Sequence, residues 1–145
     1  MRVPTGKTSS ASRPGKRAPS ALVALVLTAC GGAITDVPPG QAFRLHIGES
    51  ARIEGTSLIV TFRDVLEDYR CPVDAVCITA GNGAVALEVR AGAGGERLVL
   101  NTTEEPRESP VGAYVLRLRD LLPDPLAGRP IPREAYEVVL ELSPS

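Results

Sequence analysis

Cys71 and Cys77 bracket the segment Pro72-Val73-Asp74-Ala75-Val76. That spacing suits a disulfide-closed loop once the chain is exported. A structural metal site would want closer cysteine pairs with further histidine or cysteine ligands, and a thioredoxin-like centre would want Cys-x-x-Cys, so neither pattern is met. A staple between two strands is favoured over a staple that also presents a binding loop, and both over a redox or metal-binding thiol pair. Closing a loop of about 7 residues removes roughly 2.3 kcal/mol of unfolded-state entropy, so the bond shapes a loop more than it holds a fold. His46 is the only histidine and hence the only base for a Ser-His-Asp or Cys-His mechanism. It falls on the outward phase of an alternating strand, and no neighbouring residues resemble a nucleophile elbow. Asp64, Glu67, Asp68 and Asp74 offer oxygen ligands near the cysteines but not at the spacing of a calcium loop. Arg70 stands among these acids, where its planar fork of donors could clamp Asp68 or a loop carbonyl, or else face a partner; the clamp is favoured. No catalytic residue, no metal site and no cofactor is expected, and the chain is read as a non-enzyme.

The elements that would carry these residues are strands. Phe43, Leu45 and Ile47 alternate with Arg44 and His46, and Ala51 and Ile53 alternate with Arg52 and Glu54. The same period of two runs through Ser57 to Val65, Gly83 to Arg90, Arg97 to Asn101, Ala113 to Arg119 and Ala135 to Leu142. Ala91 to Gly95 reads as the five-residue loop of a hairpin. Glu104 to Pro110 and Pro123 to Pro132 read as breaker-rich loops. About seven strands with turns between them and no amphipathic helix predict a small antiparallel β-sandwich, Ig-like or similar.

The first 20 residues carry Arg2, Lys7, Arg13, Lys16 and Arg17 and no acid, and Ala21 to Ala29 are almost wholly apolar. These are the n-region and h-region of an export signal. About 9 apolar residues fall far short of the roughly 20 that span a bilayer. Leu27-Thr28-Ala29-Cys30 then resembles the lipobox of bacterial lipoproteins. The resemblance implies cleavage before Cys30, a thioether-linked diacylglycerol on its sulfur, and attachment to a membrane of the bacterial cell envelope on its extracytoplasmic side. The expected organisation is a signal peptide over residues 1–29, a lipidated N-terminus and flexible tether over 30–41, and one β domain over 42–145. After cleavage, 11 arginines face 17 acids, a formal charge of −6. That excess of acid argues against nucleic acid as a partner and leaves membrane attachment to the acyl chains.

The segment Glu67-Asp68-Tyr69-Arg70-Cys71-Pro72, followed by Val76-Cys77-Ile78-Thr79-Ala80-Gly81, resembles a D-S-R-C-P and V-C-I-W-A-G motif of small uncharacterised bacterial lipoproteins, with Tyr69 and Thr79 in place of serine and tryptophan. The resemblance implies an exported β domain and supplies no activity. The favoured expectation is a lipid-anchored module that binds an envelope protein or polymer through the loop Tyr69 to Thr79, with Tyr69, Arg70, Pro72 and Val73 as contact residues. Two other readings stay open: a protease inhibitor presenting the disulfide-held loop, and a small hydrolase or metal-dependent enzyme.

Overall fold

The computed structural model describes residues 32–145, together with residues 2–6, 10 and 15. Cys30, the expected lipidation site, and most of the expected signal peptide fall outside the described residues. Among the described residues nine strands form: β1 (Ile34–Val37), β2 (Ala42–His46), β3 (Ser50–Ile53), β4 (Leu58–Asp68), β5 (Gly83–Ala91), β6 (Gly94–Asn101), β7 (Glu108–Val111), β8 (Tyr114–Leu122) and β9 (Glu137–Pro144). They make two sheets, one ordered β1-β3-β4-β5-β6 and the other β2-β9-β8-β7. The protein is an all-β sandwich, as the alternation predicts.

The inward phases meet between the sheets. Leu45, Val60, Phe62, Val85, Leu87, Leu100, Leu116, Leu121, Val138 and Leu140 are almost completely buried there. Each such side chain withdrawn from water contributes about 1.5–3 kcal/mol against the entropy of ordering the chain. The core contains only two aromatic rings with real weight, Phe43 and Phe62; branched aliphatics fill the rest.

Two of the strands lie where loops or tether were expected. Ile34–Val37 pairs in parallel with β3, Ile34 opposite Ser50 and Val37 opposite Ile53, so the expected tether is part of the sheet from Ile34 onward. Its alternation is unreadable because only Val37 is buried. Glu108–Val111 is an edge strand, where Pro110 is tolerated because one side of its backbone needs no partner. The hairpin loop after β5 is also shorter than expected: Ala91 pairs with Gly94, leaving only Gly92 and Ala93 in the turn. Gly92 takes φ +60°, the requirement at the first central position of a type II′ turn. The turn Gly112-Ala113 between β7 and β8 repeats this arrangement, with Gly112 at φ +61°.

Strands β4 and β8 run beyond their expected ends because bulges reset their phase. In β4 the register shifts between Phe62 and Asp64 and again between Val65 and Glu67. In β8 it shifts between Leu118 and Asp120, which carries Leu121 into the core. Each bulge bends its strand and ends a simple period of two. The sandwich therefore has two unlike ends. Tight turns at Gly92-Ala93 and Gly112-Ala113 close one, and the long connections 69–82, 102–107 and 123–136 gather at the other.

Candidate functional site

The site is built on the end of β4. Beyond Asp68 the ladder to the returning chain continues, with the Tyr69 amide donating to the Asn82 carbonyl at 2.9 Å and the Cys71 amide to the Ala80 carbonyl at 2.8 Å. The two arms approach so closely that a Cβ on Gly81 would lie 1.9 Å from the Tyr69 carbonyl oxygen, and Gly81 itself has φ +68°. Only glycine satisfies both conditions. Above this neck Cys71 and Cys77 form a disulfide with their Cα atoms 5.9 Å apart. Inside the loop, the Ala75 amide donates to the Pro72 carbonyl at 3.1 Å and closes a turn.

A second loop supports the first. The Val73 amide donates to the Pro125 carbonyl at 3.0 Å, and the Ala127 amide donates to Asp74 Oδ1 at 2.8 Å. Below them lies the clamp. Arg70 Nε and Nη2 donate to the two oxygens of Asp68, each at 2.8 Å. Its Nη1 donates to the Leu121 carbonyl and its Nη2 also to the Pro123 carbonyl, so one guanidinium ties the end of β4 to the end of β8 across the sandwich. Both side chains are only 10% exposed. Tyr136 adds its hydroxyl, donating to Asp68 Oδ2 at 2.9 Å. Burial pushes the Asp68 carboxyl up, but the hydrogen bonds from Arg70 and Tyr136 and the nearby positive charge outweigh it and hold the group below its ordinary value. Burial, the hydrogen bond to Asp68 and the carboxylate charge push the Tyr136 hydroxyl up to about 12.

Asn82 fastens the other flank. It is buried, donates through Nδ2 to Asn101 Oδ1 at 2.8 Å, and accepts at Oδ1 from the Thr103 amide at 3.1 Å. The Tyr69 hydroxyl donates to Glu104 Oε1 at 2.7 Å, and that bond raises its pKa. Every backbone arm of this end is thus held, yet its outer apolar side chains are not covered. Val76 and Ile78 are fully exposed, Val73 is 64% exposed, and Leu126, between the Pro125 and Ala127 that bond Val73 and Asp74, is 38% exposed on the second loop.

Comparison with known proteins returns no matching family model, curated protein or solved structure.

Among the residues singled out for binding, Tyr69 and Val73 lie at the surface, whereas Pro72 is half-buried. Arg70 turns inward and makes the clamp, so its place among contact residues is corrected: its donors already serve Asp68, Leu121 and Pro123. Val76, Ile78 and Leu126 are further exposed apolar residues of these two loops. Their signal in the sequence is hydrophobicity inside a loop too short and too constrained to bury it. The acids do not converge on one point. Asp64 pairs with Arg133 at 3.1 Å, Asp68 holds Arg70, and Asp74 accepts from Ala127. His46 is exposed, its ring nitrogens 3.2 Å from the Tyr136 carbonyl and 3.2 Å from a Glu137 carboxylate oxygen. An open groove of about 430 Å³ on the other flank is lined by Glu105, Arg107, Glu108, Arg117 and Arg119. Arg117 and Arg119 there are ion-paired to Glu108 and Glu141, the ordinary pattern of a solvated sheet face.

Proposed function

We propose that this protein is a bacterial lipoprotein of the cell envelope, anchored on the extracytoplasmic side through Cys30, which acts as a binding module with the cysteine-loop end as its contact surface. The observation that carries this reading is the pairing of uncovered apolar side chains with a rigid base. Val73, Val76, Ile78 and Leu126 are exposed on two loops held by a disulfide, by two inter-loop hydrogen bonds and by the Arg70 clamp. A surface fixed before contact loses little entropy on binding. The basic, then apolar leader ending in Cys30 supports the anchor. A protease-inhibitor reading is less well supported, because Val73 and Asp74 are folded onto residues 125–127 rather than extended as a decoy strand.

Intact mass spectrometry of the natively produced protein, purified without reductant, tests the anchor. The expected species begins at Cys30, carries a diacylglycerol thioether and joins Cys71 to Cys77. Diazirine side chains at positions 76 and 78 in living cells test the surface: adducts to an envelope component are expected there and not at Ala93, at the opposite end. A leader left uncleaved overturns the anchor, and equal labelling at all three positions overturns the surface.

A further inference from the structure

The contact surface has a direction, and the register of the five-stranded sheet gives it. Ile34 lies opposite Ser50, which lies opposite Thr61. Strand β1 runs from that level toward Leu58, so the chain before Ile34 comes from the Asp68 end of β4, the end that carries the cysteine loop. Gly32 is already seated against the sheet, since a Cβ there would meet the Gly48 carbonyl oxygen at 2.2 Å, and the Ala33 carbonyl accepts from the Ser50 amide at 3.0 Å.

Cys30 is two positions before Gly32 and so lies within about 7 Å of it. The six residues of β4 from Arg63 to Asp68, with their two bulges, are spanned by the four steps of β5 from Leu87 to Gly83 and so extend about 13 Å in the same direction, with the cysteine loop beyond them. The loop end therefore projects at least as far toward the anchor as Cys30 can reach. Only Gly31 stands between Cys30 and the seated Gly32.

We infer that the occupant of the surface formed by Val73, Val76, Ile78 and Leu126 is the lipid interface of the very membrane that holds the acyl chains of Cys30. This rests on the anchor reading above and names the partner of its contact surface. The chemistry of the tip agrees. Between Cys71 and Ala80 the only charge is Asp74, whose carboxylate accepts the Ala127 amide, and residues 125–128 of the supporting loop are Pro-Leu-Ala-Gly. A tip whose charges are confined to Asp74 and to Asp124 and Arg129 at its flanks, and whose outermost side chains are apolar, seats shallowly beside acyl chains at the headgroup boundary. The nearby cation Arg70 and acid Asp68 face each other and not the tip; Tyr69 and Glu104 are likewise joined.

The test uses the full lipidated protein, its Cys30 modification verified by mass on the same sample, reconstituted into phosphatidylethanolamine–phosphatidylglycerol vesicles without other protein. Diazirine side chains placed singly at Val76, Ile78 and Leu126 are expected to form adducts with phospholipid, at least about tenfold more than one at Ala93. Val76→Asp with Ile78→Asp is expected to lower the adducts formed from position 126 about tenfold; both sites are fully exposed, so folding is not at stake. Lipidated Cys30 with no excess over position 93 overturns the inference and leaves the anchor standing. Adducts in cells that go only to a protein or polymer overturn it in favour of that partner. An unmodified Cys30 overturns the anchor reading and the inference with it.

Discussion

Arg70 shows how much a single side chain can decide at this end of the molecule. Four of its donor contacts go to Asp68, Leu121 and Pro123, and it is the only cation on the Asp68 carboxylate among the described residues. Truncation leaves a largely buried carboxylate without its counter-charge, held only by the Tyr136 hydroxyl and the residue-70 amide, and removes a donor from the Leu121 carbonyl, which costs roughly 3–5 kcal/mol. Arg70→Ala is therefore expected to lower the unfolding free energy by that amount in urea titrations. Arg70→Lys should recover less than half, because an ammonium cannot grip both carboxylate oxygens and reach two carbonyls at once. A residue that merely faced a partner would leave the titration unmoved. The types and order of Glu67 to Pro72 made the Arg70 to Asp68 pairing legible in the sequence. Leu121 and Pro123 as partners of Arg70, and Tyr136 as a partner of Asp68, were not legible, since they lie more than 50 positions away and meet this pair only once the two sheets are stacked.

At the scale of elements, alternation told strands from loops wherever a strand was half-buried and unbroken. Gly83 to Arg90 and Ala135 to Leu142 are such strands, and both lie close to where the alternation puts them. The period fails at the bulges around Arg63, Leu66 and Arg119, because an extra residue flips every later side chain to the other face. It fails also for β1 and β7, which are four residues long and lie at sheet edges, where one buried residue each leaves no pattern to read. The neck of the cysteine loop carries its own requirement. Gly81→Ala forces both a left-handed backbone and a clash with the Tyr69 carbonyl, whereas Gly92→Ala meets only open space. Thermal unfolding should show a loss of about 1 kcal/mol for Gly92→Ala and at least twice that for Gly81→Ala, the difference measuring the closeness of the two arms.

For the whole molecule, the two sheets are joined at the loop end by ionisable groups, so global stability inherits their titration. The depressed pKa of Asp68 means that its ionised form favours the folded state; that contribution is present above about pH 4 and is lost as pH falls through the lower folded value. Tyr136 behaves in the opposite sense. Its hydroxyl is held neutral up to about 12, so its contribution is complete below about pH 10 and is lost as pH rises through about 12. Tyr136→Phe is expected to cost about 1–2 kcal/mol at pH 7. The gap between it and the parent protein, followed by urea unfolding, should stay constant up to about pH 10 and close above it. A gap that ran unchanged through pH 12 would detach Tyr136 from Asp68. That the chain folds as a sandwich was plain from its period. Which end would hold the loops was not, because that depends on strand order and on the parallel placement of β1.

The last residue, Ser145, bonds through its amide to the Ala113 carbonyl at 3.1 Å, beside the Gly112-Ala113 turn. The chain thus enters the sandwich from the loop end and finishes at the end with the tight turns. Cargo fused after Ser145 would be carried at the far pole, clear of the cysteine loop, with the length of the domain as its stalk. On the anchor reading proposed above, a passenger there points away from the membrane, and so do peptide libraries grafted into the two Gly-Ala turns.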